Sequence, residues 1–427
     1  MPDLDLRHEL DRAAGRIATP TSPPAQLMGQ VRKRRQARTV GRYLVAASLA
    51  VALVGGTLSL RGGSADQVTV AAEPRTEPPA LGHRPLPPGP LVAREGQVAV
   101  WTGSALFVWG GQRGDGEGRQ VFADGALYDP VTGSWTMVPP SPLPGRAAAG
   151  GAWTGTEVVI AGGVGDRYGT EALRDAAAFN PTTGTWRELP PMPTDRYHPF
   201  TGTIGSRVLF AGGQSPTSGP QLNTVAILDT SAGTWTDADA GAPVYAATPD
   251  GGRLVLATMA PDGQGGPTIR FLDPADGTVT KAPALPFTGD ASAISVAADR
   301  GRVAVGIEAR GDVTLTELID GTWADPITID DSDFTPAQRR GDPRPATSTL
   351  QDSWLIADQA GRVRAIELGT GATVSADLTA RTCSAGGTAT VAGGRLLVFG
   401  GQSCDPEEHS VPVASGTEID LTSPTGN

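Results

Sequence analysis

Short apolar runs followed by a pair of glycines recur along the chain from residue 97 onward. Three of them occupy residues 106–109, 158–161 and 208–211, and a fourth occupies residues 396–399 near the C-terminus. A continuous apolar run of about four residues is typical of a strand that is buried on both faces, and a glycine pair marks a close approach of the backbone where that strand ends. The pattern therefore predicts buried β-strands at regular intervals.

A turn motif follows each of the first three runs. Its copies read YDPVTGSW at 128–135, FNPTTGTW at 179–186 and LDTSAGTW at 228–235. The Asp or Asn starts a turn, the Gly accepts a positive φ and the Trp begins a new strand, so each copy predicts a β-hairpin. Because the copies return about every fifty residues, they indicate a repeat architecture rather than independent domains.

The combination of a glycine pair, an aromatic residue or Leu before the turn, and a Trp after it resembles the kelch repeat, in which each copy forms one four-stranded blade of a β-propeller. The resemblance is specific at residues 97–240 and 386–401. It is weaker at 250–380, where Ala257-Thr258 stands in the place of a glycine pair. The resemblance implies an all-β, kelch-like β-propeller of the kind found in galactose oxidase, with one closed ring of blades.

The number of blades follows from the second strands, whose runs begin near residues 105, 157, 207, 253, 302, 353 and 395. Seven starts predict a seven-bladed propeller, with six blades as the alternative. The last copy ends at residues 418–421, in its third strand, and residues 86–94 align with 138–146 at an offset of 52. Residues 83–87 are therefore expected to supply the outer strand of the last blade and to close the ring.

The N-terminal part differs from the predicted propeller in charge. Residues 1–42 contain nine basic and four acidic side chains, and residues 43–60 form an apolar run without a charge. Eighteen helical residues at 1.5 Å each span about 27 Å, close to the thickness of the hydrocarbon core of a membrane. Since the basic residues flank the N-terminal side of this run, the positive-inside rule places residues 1–42 in the cytoplasm.

These features predict a single-pass protein of the cell membrane, anchored in the manner of bacterial membrane proteins. Its parts are a cytoplasmic tail at residues 1–42, a transmembrane helix at 43–60, a linker at 61–82 and an extracytoplasmic propeller at 83–427. The alternative is a cleaved signal peptide, although its apolar run would begin about forty residues from the N-terminus, far later than in an ordinary signal peptide.

The charge of the predicted propeller restricts its partners. The chain carries a net charge of −11, and residues 66–427 contain 24 basic and 41 acidic side chains. A domain with this excess of negative charge repels phosphates, which argues against nucleic acid as a partner. A protein or a carbohydrate ligand fits this composition, and contact with a membrane is expected only through residues 43–60.

The chain has two cysteines, Cys383 and Cys404, on either side of the last predicted hairpin. The residue numbers of the two cysteines add up to the same total as those of Gly393 and Gly394 at the tip of this hairpin. In a two-residue hairpin, residues whose numbers have equal sums face each other, so we expect the two cysteines to face each other across the strands. We expect a disulfide bond between them in an oxidising compartment, with two unpaired thiols as the alternative. No CxxC motif or histidine-rich spacing supports a metal site.

Three arginines, Arg94, Arg146 and Arg196, each precede the first strand of a predicted blade. In a propeller of this strand order they fall on the face where ligands meet the central channel. There their guanidinium groups would clamp a carboxylate or a phosphate through paired hydrogen bonds. The alternative, favoured for so acidic a body, is that each arginine neutralises a loop carboxylate such as Asp115 or Asp195.

Tyr197 and His198 follow Arg196 on the same face. Galactose oxidase, which the repeats resemble, binds copper through Tyr and His side chains at its channel mouth. Copper would need a second imidazole, and the predicted extracytoplasmic part contains three histidines in all, His83, His198 and His409. We therefore take Tyr197 and His198 as candidate ligand contacts, and we expect no metal and no cofactor.

The sequence predicts a kelch-repeat protein that binds a ligand or a protein partner, and it assigns no catalytic residue. The alternative is an extracytoplasmic carbohydrate-active enzyme, resembling an oxidase or an epimerase, with its site at the channel mouth. Such an enzyme would need convergent acid and base groups or a metal at that mouth. Fold resemblance alone does not decide between the two, because propellers host many functions.

Overall fold

In the computed structural model, the described part of the chain consists of β-strands joined by turns and loops. The described residues are 82–114, 118–165, 171–215, 221–260, 266–291, 293–309, 312–330, 347–351, 354–359, 362–368, 370–371, 373–376, 384–385, 388–391, 394–400, 402–403, 414 and 416–421. Residues 1–81 lie outside this part, as do Cys383, Cys404 and His409. The predicted tail, transmembrane helix, most of the linker and the disulfide bond therefore remain predictions. Among the residues that are described, no helix has the length and apolar character needed to cross a membrane.

Within these residues the strands group into seven antiparallel sheets of four or more strands and two small two-stranded sheets. Strand β1 (His83–Pro85) precedes the first sheet. The first sheet consists of β2 (Val98–Trp101), β3 (Leu106–Trp109), β6 (Gly125–Asp129) and β7 (Ser134–Met137), and a small hairpin of β4 (Gln112–Arg113) and β5 (Gln120–Val121) lies between its second and third strands.

The next three sheets each contain four consecutive strands. The second consists of β8 (Gly150–Trp153), β9 (Val158–Ala161), β10 (Ala176–Asn180) and β11 (Thr185–Leu189). The third consists of β12 (Phe200–Ile204), β13 (Arg207–Ala211), β14 (Thr224–Asp229) and β15 (Thr234–Asp239). The fourth consists of β16 (Val244–Asp250), β17 (Arg253–Thr258), β18 (Thr268–Leu272) and β19 (Val279–Lys281).

The last three sheets are less regular. In the fifth, β20 (Ala293–Asp299) and β21 (Arg302–Ala309) precede β22 (Asp312–Ile319), which pairs with both β23 (Thr322–Trp323) and β24 (Ile327–Asp330). The sixth consists of β25 (Thr347–Gln351), β26 (Trp354–Gln359), β27 (Arg362–Glu367) and β28 (Thr373–Ala376). The seventh consists of β30 (Thr388–Val391), β31 (Arg395–Phe399), β33 (Gly416–Asp420) and β1, while β29 (Ser384–Ala385) pairs with β32 (Gln402–Ser403).

The first strands of neighbouring sheets contact one another in a closed order. That order is β2, β8, β12, β16, β20, β25 and β30, and β30 contacts β2 again. Each sheet is therefore a blade with its first strand at the centre and its fourth strand at the rim. The prediction of an all-β, kelch-like propeller is confirmed, and the described strands give it seven blades.

The core lies between blades, because the second strands predicted from the apolar runs are buried on both faces. All four residues of β3 are fully buried. The ring of Phe107 on this strand stacks on that of Phe179 in the second blade at 5.4 Å between centroids, and Trp186 lies 6.1 Å from Trp109. Each apolar run thus joins its own blade to the next one.

The turn motif has the predicted geometry. The Oδ1 atom of Asp129 accepts a hydrogen bond of 2.8 Å from the backbone N–H of Val131, and Gly133 has a φ of 67°. The following Trp135 donates its indole N–H to the carbonyl oxygen of Pro87 at 3.0 Å. The same bond recurs from Trp186 to Pro139, from Trp235 to Pro190 and from Trp323 to Pro283. It ties the outer strand of a blade to the segment through which the chain enters that blade.

Strand β1 closes the ring. It pairs antiparallel with β33, with His83 opposite Ile419 and Pro85 opposite Thr417. Arg84 forms an ion pair of 2.7 Å with Glu418. The closure expected from the offset of 52 residues is therefore confirmed.

The last hairpin has the register expected from its glycines. Thr388 lies opposite Phe399 on β30 and β31, and Ser384 lies opposite Ser403 on β29 and β32. In each of these pairs the two residue numbers add up to the same total as Cys383 and Cys404, which is the register predicted from the glycines at the tip.

Candidate ligand-binding face

The connections between second and third strands and the connections between blades lie at the same end of the propeller, here called the loop face. The turns between first and second strands and between third and fourth strands lie at the other end, here called the turn face. Each of the three predicted arginines stands on the loop face, where the chain enters a blade. The structure places them in three separate blades, at the base of three different loops.

Arg94 and Arg146 are each held in the same way. The Arg94 guanidinium donates to both carboxylate oxygens of Asp124, at 2.7 and 3.1 Å, and to the carbonyl oxygen of Gly110 at 2.9 Å. Arg146 donates to both carboxylate oxygens of Asp175, at 2.6 Å each, and to the carbonyl oxygen of Gly162 at 3.0 Å. Each clamp therefore joins the entry of a blade to both ends of the loop between its second and third strands.

These contacts leave the two side chains no free surface. Both guanidinium groups are fully buried, and their Nε atoms donate to the carbonyl oxygens of Val92 and Pro144. Partial burial raises the pKa of Asp175, but its hydrogen bonds and charge interaction with Arg146 outweigh this effect and hold that pKa below its usual range. A ligand would have to displace the aspartate to reach either arginine.

The sequence-based alternative, in which the arginines neutralise loop carboxylates, agrees with this geometry, but the partners differ from those expected. Asp124 and Asp175 occupy the same place, five residues before the turn residues Asp129 and Asn180. Because the partner follows its arginine by 30 or 29 residues, the pairing was visible as a repeated spacing in the sequence. The expected Asp115 lies outside the described residues.

The third clamp is incomplete. Thr224 stands five residues before the turn residue Asp229, where the other two blades carry an aspartate. Arg196 donates to the Thr224 hydroxyl at 3.2 Å, and the nearest carboxylate oxygen, on Asp237, lies 3.8 Å away. Within the described residues its Nε atom has no hydrogen-bond partner, although the side chain is fully buried.

The pKa values in the third clamp reflect the absence of an aspartate at position 224. Burial lowers the pKa of Arg196 to about 10, and the charges of Asp237 and Asp195 act in the opposite direction. Burial also raises the pKa of Asp237, which Arg196 only partly offsets. The loop of the third blade is therefore held by a weaker ionic contact than the loops of the first two blades.

A chain of backbone hydrogen bonds runs from blade to blade at the centre of the loop face, here called the mouth. The N–H of Ala148 donates to the carbonyl oxygen of Gly96 at 2.7 Å, and the N–H of His198 donates to that of Ala148 at 2.8 Å. All three residues have a positive φ, 63° at Gly96, 58° at Ala148 and 52° at His198. This conformation is strained for Ala and His, and such strain persists only where the surrounding structure fixes it.

Tyr197 and His198 come together at this mouth. Their rings contact edge to face with 5.4 Å between centroids, and both side chains are half-buried. Tyr197 forms an isolated β-bridge with Gln214, and burial raises the pKa of its hydroxyl. Of the five predicted ligand contacts, these two are the ones whose side chains reach the surface.

Sequence reasoning missed one feature of the mouth. The pairing of β16 with β17 passes from Val244 opposite Thr258 to Ala246 opposite Ala257, so Tyr245 is an extra residue in a β-bulge. A bulge shifts the alternation of inward and outward side chains by one residue, but the half-buried residues that follow Ala246 in β16 are too irregular to reveal such a shift. Within the described residues, no group of three or more His, Cys, Asp or Glu side chains is arranged to hold a metal ion.

The closed ring of antiparallel four-stranded sheets around a common axis defines a β-propeller. Its second blade matches the family model of the Kelch motif at residues 145–193. The protein is thus a kelch-repeat β-propeller. A search of curated proteins finds no match to the chain.

Proposed function

We propose that this protein is a membrane-anchored, extracytoplasmic scaffold that binds a partner through its loop face. The observation that carries this proposal is the buried arginine at the base of each of the first three loops. Binding residues are commonly found on loops that a rigid framework positions. The clamps on Arg94 and Arg146 supply such a framework, because each fixes both ends of a loop that carries exposed residues such as Gln120 and Glu171.

The lengths of the loops also support partner binding at the loop face. The segments between second and third strands run from 110 to 124, from 162 to 175 and from 212 to 223 in the first three blades, but only from 310 to 311 in the fifth. A propeller needs no more than a tight turn at this place. The additional length on one side of the loop face is therefore available for recognition.

Site-specific photo-crosslinking tests which face binds. A photoreactive residue at Gln120, exposed on the hairpin loop of the first blade, is compared with one at Val131, which is 92 % exposed on the turn face. We expect the full-length chain in its native membrane to give an adduct from position 120 and none from position 131. Adducts from position 131 alone, or from neither position, would contradict the proposal.

The membrane anchor is tested separately, because the chain has two lysines on opposite sides of the predicted membrane span. Lys33 lies in the basic tail, and Lys281 is exposed at the rim of the fourth blade. An amine-reactive reagent that does not cross membranes should label Lys281 but not Lys33 in intact cells, and both after permeabilisation. Equal labelling of both lysines in intact cells would contradict an anchor at residues 43–60.

A further inference from the structure

The fourth blade departs from the arginine clamps of the first three. Val244 occupies the place of the entry arginine, because its backbone N–H bonds to the preceding loop at 3.0 Å as that of Arg196 does at 3.2 Å. Thr268 occupies the place of the clamp aspartate, five residues before the turn residue Asp273. The fourth blade therefore lacks both members of the clamp.

A guanidinium group nevertheless reaches the base of this loop from another strand. It belongs to the half-buried Arg270 on β18, whose Nε atom donates to the Thr258 hydroxyl at 3.0 Å. Thr258 is the last residue of β17, which leads into the loop. The Nη1 atom lies against the connection from the third blade, where a Cβ atom on Gly241 would be 2.9 Å away. The group thus lies between the entry and the loop of the fourth blade.

This guanidinium differs from those of the clamps in having no countercharge within the described residues. Its Nη atoms donate to no acceptor there, and Arg270 forms no ion pair with a described carboxylate. The carboxylate of Asp239, on the same connection, instead accepts hydrogen bonds from the Gly241 N–H at 2.8 Å and from the Asn223 amide at 3.1 Å. The paired Nη donors of Arg270 are therefore left for an acceptor from outside this part of the chain.

Lys281 adds a second positive charge beside Arg270. The two residues stand directly opposite each other in the pairing of β18 with β19, so their side chains share one face of the sheet. Like charges in this arrangement repel and destabilise a sheet. Lys281 is exposed and is the one lysine in residues 66–427, where 41 acidic side chains outnumber 24 basic ones. The pair is thus a local reversal of the charge of the propeller, and an anion between the two groups would remove their repulsion.

We propose that Arg270 and Lys281 bind an Asp or Glu side chain of the partner protein, a proposal that rests on the scaffold function above. The first two blades show the chemistry, because Arg94 and Arg146 each donate to both oxygens of a carboxylate at 2.6–3.1 Å. In the fourth blade the partner supplies this carboxylate, and the Lys281 ammonium contacts it from the outer strand.

The charge of the propeller restricts the anion further. A phosphate group forms similar hydrogen bonds, but it brings a charge of about −1.5 to −2 against an acidic domain. A run of acidic residues would meet the same repulsion. The proposed site therefore selects one or two carboxylates within an otherwise neutral segment.

Carbodiimide coupling tests this proposal, because the reagent joins a carboxylate to an amine and the chain has two lysines, Lys33 and Lys281. The probe is an isotopically labelled peptide of glycine and serine with two glutamates, acetylated and amidated at its ends. It is offered to the full-length chain in detergent at about 0.15 M salt. Mass spectrometry measures the peptide coupled at each lysine. Coupling at Lys281 should rise to a plateau as the peptide concentration increases.

Variants of Arg270 give the decisive comparison. Below saturation, Arg270→Gln should lower coupling at Lys281 about five- to tenfold and leave coupling at Lys33 unchanged. Arg270→Lys keeps the charge but loses the paired donors, and it should lower coupling about two- to threefold. The matched control is Arg300→Gln, which removes the same charge from the turn face, where the Arg300 side chain is 88 % exposed. Circular dichroism reports whether each variant is folded, and Arg270→Lys decides the test if Arg270→Gln is not.

Equal loss of coupling in Arg270→Gln and Arg300→Gln overturns the proposal, as does coupling at Lys281 that never saturates. A phosphoserine version of the peptide that suppresses coupling more than an equal amount of unlabelled glutamate peptide would assign the site to phosphate. A partner crosslink at Gln120 that persists in Arg270→Gln would retain the scaffold function and overturn Arg270 as its contact. Conversely, no crosslink from either position contradicts the scaffold function, whereas coupling at Lys281 that depends on Arg270 still establishes the carboxylate site.

Discussion

Replacing Asp175 by Thr would copy the third clamp into the second blade. In the unchanged protein the Asp175 carboxylate accepts two hydrogen bonds of 2.6 Å from Arg146, which is fully buried. In the third blade Thr224 occupies the same place and leaves Arg196 with a carboxylate 3.8 Å away. The variant Asp175→Thr therefore keeps a neutral acceptor beside the guanidinium but removes its countercharge.

The size of the effect follows from burial. A hydrogen bond to a charged group contributes about 1.5–3 kcal/mol, and breaking a fully buried ion pair costs about 3–5 kcal/mol. The Asp175 side chain is 43 % exposed, so solvent screens part of this interaction. We expect a loss of about 2 kcal/mol. For a body of the size of residues 83–427 the entropy of unfolding is about 0.7 kcal/mol/K, so the melting temperature should fall by about 3 °C.

Guanidinium chloride unfolding followed by tryptophan fluorescence measures the loss at neutral pH. Because the folded pKa of Asp175 lies below its unfolded value of about 3.9, the contribution of the pair is present above that pH and disappears as the pH falls through the folded pKa. The difference between the two proteins should therefore shrink below about pH 4. A loss under about 0.5 kcal/mol at neutral pH, or one that does not change with acid, would refute the role of the clamp.

Three further outcomes are expected. Thr224→Asp should complete the third clamp, raise the free energy of unfolding by about 1 kcal/mol and raise the pKa of Arg196 above its present value of about 10; unchanged stability in denaturant would contradict this. A chain that begins after residue 95 should melt at a lower temperature than one that begins at residue 76, because the seventh blade loses β1; equal melting temperatures would mean that β1 does not stabilise the ring. Cys383 and Cys404 should become open to alkylation only after reduction, as intact mass shows, because the residues next to them in the sequence, Ser384 and Ser403, lie opposite each other on β29 and β32; alkylation without reduction would exclude the bond.

Much of the propeller was predictable because its information is local and repeated. Turn residues such as Asp129 and Gly133 dictate a hairpin whatever surrounds them, and repetition turns one hairpin into a ring. The closure by β1 was predictable because the proline-rich entry segments align at a fixed offset. The sequence resemblance also located the loop face, since strand order alone determines which connections share an end.

The chemistry of the loop face was harder to predict, since it depends on distances that no local pattern encodes. From the sequence, Arg146 is a plausible contact for an anionic ligand. In the structure its guanidinium already binds the Asp175 carboxylate at 2.6 Å. The spacing between these two residues recurs in the first blade, so repetition could have revealed the pair. The bulge at Tyr245 had no such signal, because it depends on how β16 accommodates its neighbours.

The pairing of β1 with β33 also sets the order of events during synthesis. Arg84 and Glu418 are separated by 334 residues, so the first strand of the propeller to be made has to wait for the last. At a synthesis rate of about 5–20 residues per second this wait lasts about 20–70 s, and pairing across so long a separation is intrinsically slow. The ring therefore closes only after β33 has been made. A chain that stops short of β33 leaves β1 without its partner, which makes closure a check on the completeness of the propeller.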